Sequence, residues 1–217
     1  MEGLIRFLRS HRWARRSLSV SSIVLLVAAL GLLGYPAFTN WQHDRLQSRL
    51  RNNLKSEALA QSYRNRNLKD GDALTRIKIP ALGVDTVVVE GTTPSALRAG
   101  AGHYPQTPLP CDAGNVAIAG HRTTYGKPFA NIDQLKPGDS IILETPIGTC
   151  TYEVSKAPRP NPDLAAAYVV APTDFSVIAQ DPSKSELTLT SCHPKGSAAQ
   201  RIIIRAEKVS GSATASG

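Results

Sequence analysis

Three side chains in this sequence have the types and positions that acyl transfer needs: Cys192, His121 and Arg201. A thiol attacks carbonyls once it is a thiolate, an imidazole stabilises that thiolate or hands a proton to a leaving group, and a guanidinium neutralises a developing oxyanion. The run Glu186 to Glu207, ELTLTSCHPKGSAAQRIIIRAE, reads as two short strands joined by a polar connector. Leu187 and Leu189 alternate with Thr188 and Thr190, the period-two pattern of a half-buried strand. Continuing that alternation puts Cys192 on the threonine face, with its sulfur away from the leucine core. Arg201 shares a face with Ile203 and Arg205, opposite Ile202 and Ile204. In GNVAIAGHR, Val116 and Ile118 face one way and Ala117, Ala119 and His121 the other. His121 therefore stands at a strand end on a face of small side chains, which leaves room for an extended ligand. A free cysteine is usually buried and inert, and a histidine after a strand is usually solvated. Three such groups at strand ends, all on non-core faces, point instead to chemistry.

These residues carry a resemblance. TLTSC at 188–192, followed by Arg201 and preceded by AGHRTTYG at 119–126, resembles the sortase family of cysteine transpeptidases. Cys192-His193-Pro194 and the run HRTTYGKPF are similar to the class E housekeeping sortases of actinobacteria. The resemblance covers residues 73–209. One departure is visible: the family signature has threonine before the cysteine, and here Ser191 keeps the hydroxyl and loses a methyl.

The resemblance implies an all-β fold, a closed eight-stranded barrel with short helices. It implies a thioester on Cys192 formed by cleaving a sorting signal of the Leu-x-x-Thr-Gly kind, Leu-Ala-x-Thr-Gly for class E, between Thr and Gly. An imidazolium His121 would favour the thiolate and protonate the leaving amine, and Arg201 would hold the oxyanion. The acceptor would be an amine of a cell-wall precursor, and the donors sorting-signal-bearing surface proteins. Tyr104 matches a tyrosine thought to shape the substrate pocket. Thr190 and Ser191 either line the groove or simply occupy strand positions. His103 and His193 are expected to be solvated loop residues. Two rivals remain open: an extracytoplasmic Cys/His peptidase that uses water, and a non-catalytic barrel that binds wall polymers or peptides.

The elements that must position these groups are short and β-rich. LTRIKIP (74–80) and VDTVVVEG (84–91) read as a hairpin around Ala81-Leu82-Gly83, and SIILET (140–145) with GTCTYEVSK (148–156) as another. Thr93 to Arg98 reads as a short helix with Pro94 in its first turn, and Phe129 to Leu135 as a helical turn. Residues 157–185 hold five prolines and no long periodic run, and so long a connection is often functional when ordered. The absence of repeated βα alternation favours a barrel over an α/β sheet.

The chain has 217 residues and a net charge of +8, unevenly spread. Residues 1–17 hold five arginines and one glutamate, 39–72 seven basic and four acidic side chains, and 73–217 thirteen and twelve. A nucleic-acid domain would carry its charge on the folded part, so nucleic acid is excluded as a partner. Leu18 to Phe38 is long and apolar enough for a bilayer-spanning helix, and the arginines before it favour a cytoplasmic N-terminus. A cleaved signal peptide is the alternative, disfavoured by the poor cleavage site around Gly34-Tyr35-Pro36-Ala37. The expected organisation is a basic cytoplasmic tail (1–17), a signal anchor (18–38), a solvated extracytoplasmic stalk (39–72), the catalytic barrel (73–209) and a flexible tail (210–217). The host membrane would be the plasma membrane of a Gram-positive, actinobacterial cell. Outside the cytoplasm Cys111 and Cys150 either pair or remain two free thiols. No cofactor is implied, and no Cys/His cluster has structural zinc spacing.

Overall fold

The computed structural model describes residues 12–158 and 163–212. Arg6 and Arg9 of the basic tail, 159–162 of the long connection and 213–217 of the C-terminal tail lie outside the described residues. The chain divides into two compact units, Met1–Trp41 and Gln42–Gly217.

Helix α1, Arg12–Asn53, begins in the first unit and ends in the second. Part of it reaches a mean hydropathy of 2.0 with no buried residue, so it is long and apolar enough to cross a membrane. Leu25, Leu32 and Leu33 are all exposed.

The second unit holds α2 (Glu57–Arg64), β1 (Ala73–Ile79), β2 (Val84–Glu90), α3 (Pro94–Ala99), β3 (Ala101–His103), β4 (Gly114–Ala119), β5 (Ser140–Thr145), β6 (Gly148–Val154), β7 (Tyr168–Val170), β8 (Ser185–His193) and β9 (Gln200–Ser212). The strands run β6-β5-β1-β2-β3-β4-β8-β9, and β6 pairs back onto β9. That last pairing closes an eight-stranded barrel and leaves no open edge in the ring. Strand β9 pairs with β8 along one edge and is long enough to serve two further neighbours along the other. Its first part pairs with β7 (Tyr168↔Ile203, Val170↔Arg201) and its second with β6 (Val154↔Ala206, Thr149↔Ser212). The tail expected from residue 210 therefore begins as strand, because β6 offers it partners up to Ser212.

Alternation fills the interior. Ile77, Ile79, Val88, Val116, Ile118, Ile141, Leu143, Leu187, Leu189, Ile202 and Ile204 form one core. Phe129, Ile132 and Leu135 close it from the turn after β4, with no exposed surface. Both expected hairpins, β1–β2 and β5–β6, are antiparallel pairs, and Thr93 caps α3 by accepting from the Ala96 amide.

The long connection after β6 is partly pinned down. Asn115 Nδ2 donates to the Val177 and Ala179 carbonyls, Arg205 Nη1 to the Val177 carbonyl, and Thr188 Oγ1 to Asn115 Oδ1. Its second half thus covers the outer face of β4 and β8 at Thr188, which is fully buried. Further along β8, Cys192 is only half-buried.

Residues 42–64 are not the solvated stalk expected from sequence. The leucines spaced by four along this segment are at most half-buried (Leu46 is 37% exposed, Leu50 and Leu54 intermediate), whereas Gln47 is 5% exposed. Gln47 accepts from the Val87 amide (2.7 Å) and donates to the carbonyls of Val87 (3.1 Å) and Ala99 (2.7 Å). On α2, Tyr63 is buried and donates its hydroxyl to the Pro110 carbonyl. These helices dock through hydrogen bonds to barrel backbone, and hydropathy periodicity does not register that kind of contact.

Candidate active site

Strand register brings the three candidate residues to one end of the barrel. In the antiparallel β8–β9 pair, Cys192 is the direct partner of Arg201. Strands β4 and β8 are parallel, with Ala119 opposite Thr190. One residue further on, the Gly120 amide donates to the Thr190 carbonyl (3.1 Å) and the Ser191 hydroxyl to the Gly120 carbonyl (2.6 Å). His121 and Cys192 each stand one residue beyond these bonds, at matching positions past the Ala119–Thr190 pair. Cys192 is the free cysteine; Cys111 and Cys150 are joined in a disulfide.

His121 opens a loop whose ends are tied together. The Phe129 amide donates to the His121 carbonyl (3.1 Å), and the buried Phe129 ring anchors the far side. The centroids of the His121 and Tyr125 rings lie 5.3 Å apart, and partial burial pushes the His121 imidazole below its ordinary 6.5.

Arg122, which sequence reasoning passed over, is 4% exposed. It donates to the Ala130 carbonyl through Nη2 (3.2 Å), pairs with Asp133 at 2.7 Å, and lies 3.5 Å from His193 Nδ1. One guanidinium thereby braces the loop after His121 and reaches the residue beside Cys192. The HR dipeptide is the signal that would have found it, since its alternation turns Arg122 away from the His121 face.

The remaining residues separate into two groups. Tyr104 is half-buried and its hydroxyl meets Thr190 Oγ1 at 3.1 Å, so these two come together on the Cys192 face. Ser191 is 3% exposed and points to the opposite face, where its hydroxyl is taken by the Gly120 carbonyl. Ser191 therefore holds the His121 turn against β8 instead of lining a groove.

His103, expected in solvent, has no exposed surface. Its Nδ1 lies 2.9 Å from Glu90 Oε2 and its Nε2 2.9 Å from the Pro108 carbonyl. Thr107 Oγ1 lies 3.0 Å from the same Nε2, so both ring nitrogens have partners inside the fold. The partners come from other strands and loops, which local sequence does not display.

Arg201 is half-buried and donates from Nη1 to the carbonyls of Ala198 and Gln200, both at 3.0 Å. A guanidinium has five N–H donors, and these bonds use one nitrogen. Among the described residues no group of three or more His, Cys, Asp or Glu is placed to hold a metal ion. A cleft of about 400 Å³ lies elsewhere, lined by Tyr168, Val177, Lys184, Glu186 and Arg205 and by none of the three candidate residues.

The chain folds as a closed barrel with a free thiol directly opposite an arginine and a histidine two residues past the end of the adjoining parallel strand. Within it, residues 77–209 match the family model described as the sortase domain, and the chain belongs to the sortase family. It is 32% identical over 142 residues to Sortase D of Bacillus subtilis, a match covering 64% of this chain and 65% of that protein. The chain thus spans just under two thirds of that relative's length. Among solved structures, the Clostridium perfringens Sortase D5 transpeptidase superposes with a TM-score of 0.64 at 27% identity, covering 77% of this chain and 98% of that one. Sortase E from Streptomyces avermitilis superposes at 0.56 with 34% identity, covering 66% and 91%.

Proposed function

We propose that this chain is a membrane-anchored cysteine transpeptidase of the class E kind, and that Cys192, His121 and Arg201 carry the reaction. The observation that supports it most is the register: Cys192 is directly opposite Arg201, and His121 lies at the matching position two residues past the end of the neighbouring parallel strand. The Cys192 thiolate attacks the carbonyl carbon of threonine in a Leu-Ala-x-Thr-Gly-like signal. Arg201 neutralises the oxyanion of the tetrahedral intermediate by charge-assisted hydrogen bonds. As the C–N bond breaks, His121 delivers its proton to the glycine amine, leaving a thioester. An amine of a cell-wall precursor then attacks the thioester, returns the proton to His121, and leaves with the surface protein as a new amide. Tyr104 and Thr190 shape the pocket for the signal. Helix α1 anchors the enzyme in the plasma membrane with its arginine-rich end in the cytoplasm and the barrel outside. Support for class E over other classes comes from Cys192-His193-Pro194, Tyr104 and the 34% identity to a sortase E.

The test is incubation of the full chain in detergent with a Leu-Ala-x-Thr-Gly peptide, with and without a glycine-based amine, followed by mass spectrometry. The expected result is a thioester on Cys192 and an amine-dependent ligated product. Hydrolysis indifferent to the amine would establish the water-using peptidase instead.

A further inference from the structure

We propose that His43 and Gln47 of helix α1 are positioning residues for the loop that bears His121, so that this helix helps to set the catalytic geometry. The proposal goes beyond the reading above and rests on the role given there to His121.

The geometry starts from one face of α1. His43, Gln47 and Arg51 are spaced by four and so lie in line, and all three belong to the barrel unit. Arg51 Nη2 donates to the Asp85 carbonyl at 2.9 Å, and Gln47 makes its three backbone bonds at Val87 and Ala99. The approach is close enough to need a glycine: a Cβ on Gly100 would sit 2.5 Å from Gln47 Nε2. Gln47 therefore fixes the helix to the backbone of β2 and of the C-terminal end of α3.

One helical turn back, His43 is 8% exposed; its buried Nδ1 has no hydrogen-bond partner among the described residues, although the side chain also engages the backbone at Arg98. Its ring lies against Gly126. A Cβ at Gly126 would come within 2.3 to 2.7 Å of Nε2, Cδ2 and Cε1, and the residue has φ +71, a left-handed conformation that disfavours side chains. Gly126 follows Tyr125, whose ring touches that of His121. Along this part of the helix Leu46 is exposed and Leu50 half-buried, while the two polar side chains are enclosed. The contact path runs from His43 through Gly126 and Tyr125 to His121, with Gln47 as its fixed point.

The experiment uses the full chain in nanodiscs and compares His43→Ala, Gln47→Ala, Gly126→Ala and the His43→Ala/Gly126→Ala double variant, with Leu46→Ala as the control. Misplacement of a catalytic group by a fraction of an ångström should lower kcat about tenfold in His43→Ala and Gln47→Ala, with KM within about twofold of the parent. Gly126→Ala should fall further, and adding His43→Ala should restore part of that loss by removing the collision. Leu46→Ala should match the parent. In parallel, the His121 imidazole resonances, assigned with His121→Gln, should shift in His43→Ala and Gln47→Ala without substrate present. Unshifted resonances, or a lower melting temperature with kcat intact, would overturn the proposal. A parent chain that leaves the peptide untouched would overturn the substrate reading alone, and the resonances would then decide this one.

Discussion

Cys192 and Arg201 are direct partners across the β8–β9 pair, so their side chains leave the sheet on the same face. Because both are fixed by strand register, replacing either tests chemistry with little effect on the barrel. Cys192→Ala should abolish thioester formation. Arg201→Ala should lower kcat/KM by about 10²–10³-fold, the usual loss on removing an oxyanion donor. Arg201→Lys should recover only part of this, since an ammonium lacks the planar fork. Steady-state rates with thioester detection by mass spectrometry check all three, and full activity in Arg201→Ala would remove it from the reaction.

The His121 ring titrates below 6.5 because it is partly buried, with Tyr125 as its neighbour. Between 6.5 and that lower midpoint, the unfolded chain binds a proton that the folded chain does not. Stability from this group is therefore complete above 6.5 and is lost as pH falls through the folded midpoint. An NMR titration should give a midpoint below 6.5, and Tyr125→Ala, by admitting water, should raise it towards the ordinary value. A wild-type midpoint at or above 6.5 would contradict the burial account.

Ser191 makes a separate prediction because its hydroxyl faces away from the thiol. Ser191→Ala leaves the Gly120 carbonyl without its 2.6 Å donor and should cost about 1 kcal/mol of stability, with a fall in kcat as the His121 turn loosens. Ser191→Thr keeps the hydroxyl and should retain activity. Denaturant unfolding together with peptide turnover separates the two effects. If Ser191→Ala changed KM alone, Ser191 would belong to the substrate groove after all.

The barrel was legible in the sequence where strands alternate, as in β1 and β8, or where β-rich runs flank a turn signal, as in β2, β5 and β6. Cys192, His121 and Arg201 followed from the same alternation, because a period of two assigns a face as well as an element. Strands β3 and β7 have three residues each, too few to show a period. The docking of Gln47 and the burial of His103 were illegible for another reason. Their partners, Val87 and Ala99 for the one and Glu90 and Pro108 for the other, are brought near only by the closed barrel. Local sequence carries hydrophobic pattern well and long-range polar satisfaction poorly.

The disulfide joins two such distant places. Cys111 precedes β4, Cys150 lies within β6, and the two are 39 residues apart in sequence. Both are buried, and the Cys111 carbonyl also accepts from Lys208 of β9. The bridge thus ties the segment leading into the His121 strand to the opposite side of the barrel. Closing a loop of this length restricts the unfolded chain by roughly 4 kcal/mol in the chain-entropy model. For a domain of this size that corresponds to a fall in Tm of about 10 °C. Replacing both cysteines by alanine, and leaving Cys192 in place, should produce that loss while thioester formation at 25 °C continues. Calorimetry paired with the peptide assay reads both. An unchanged Tm would mean that the bridge adds nothing to the folded chain, and lost activity at full Tm would give the bridge a role at the site itself.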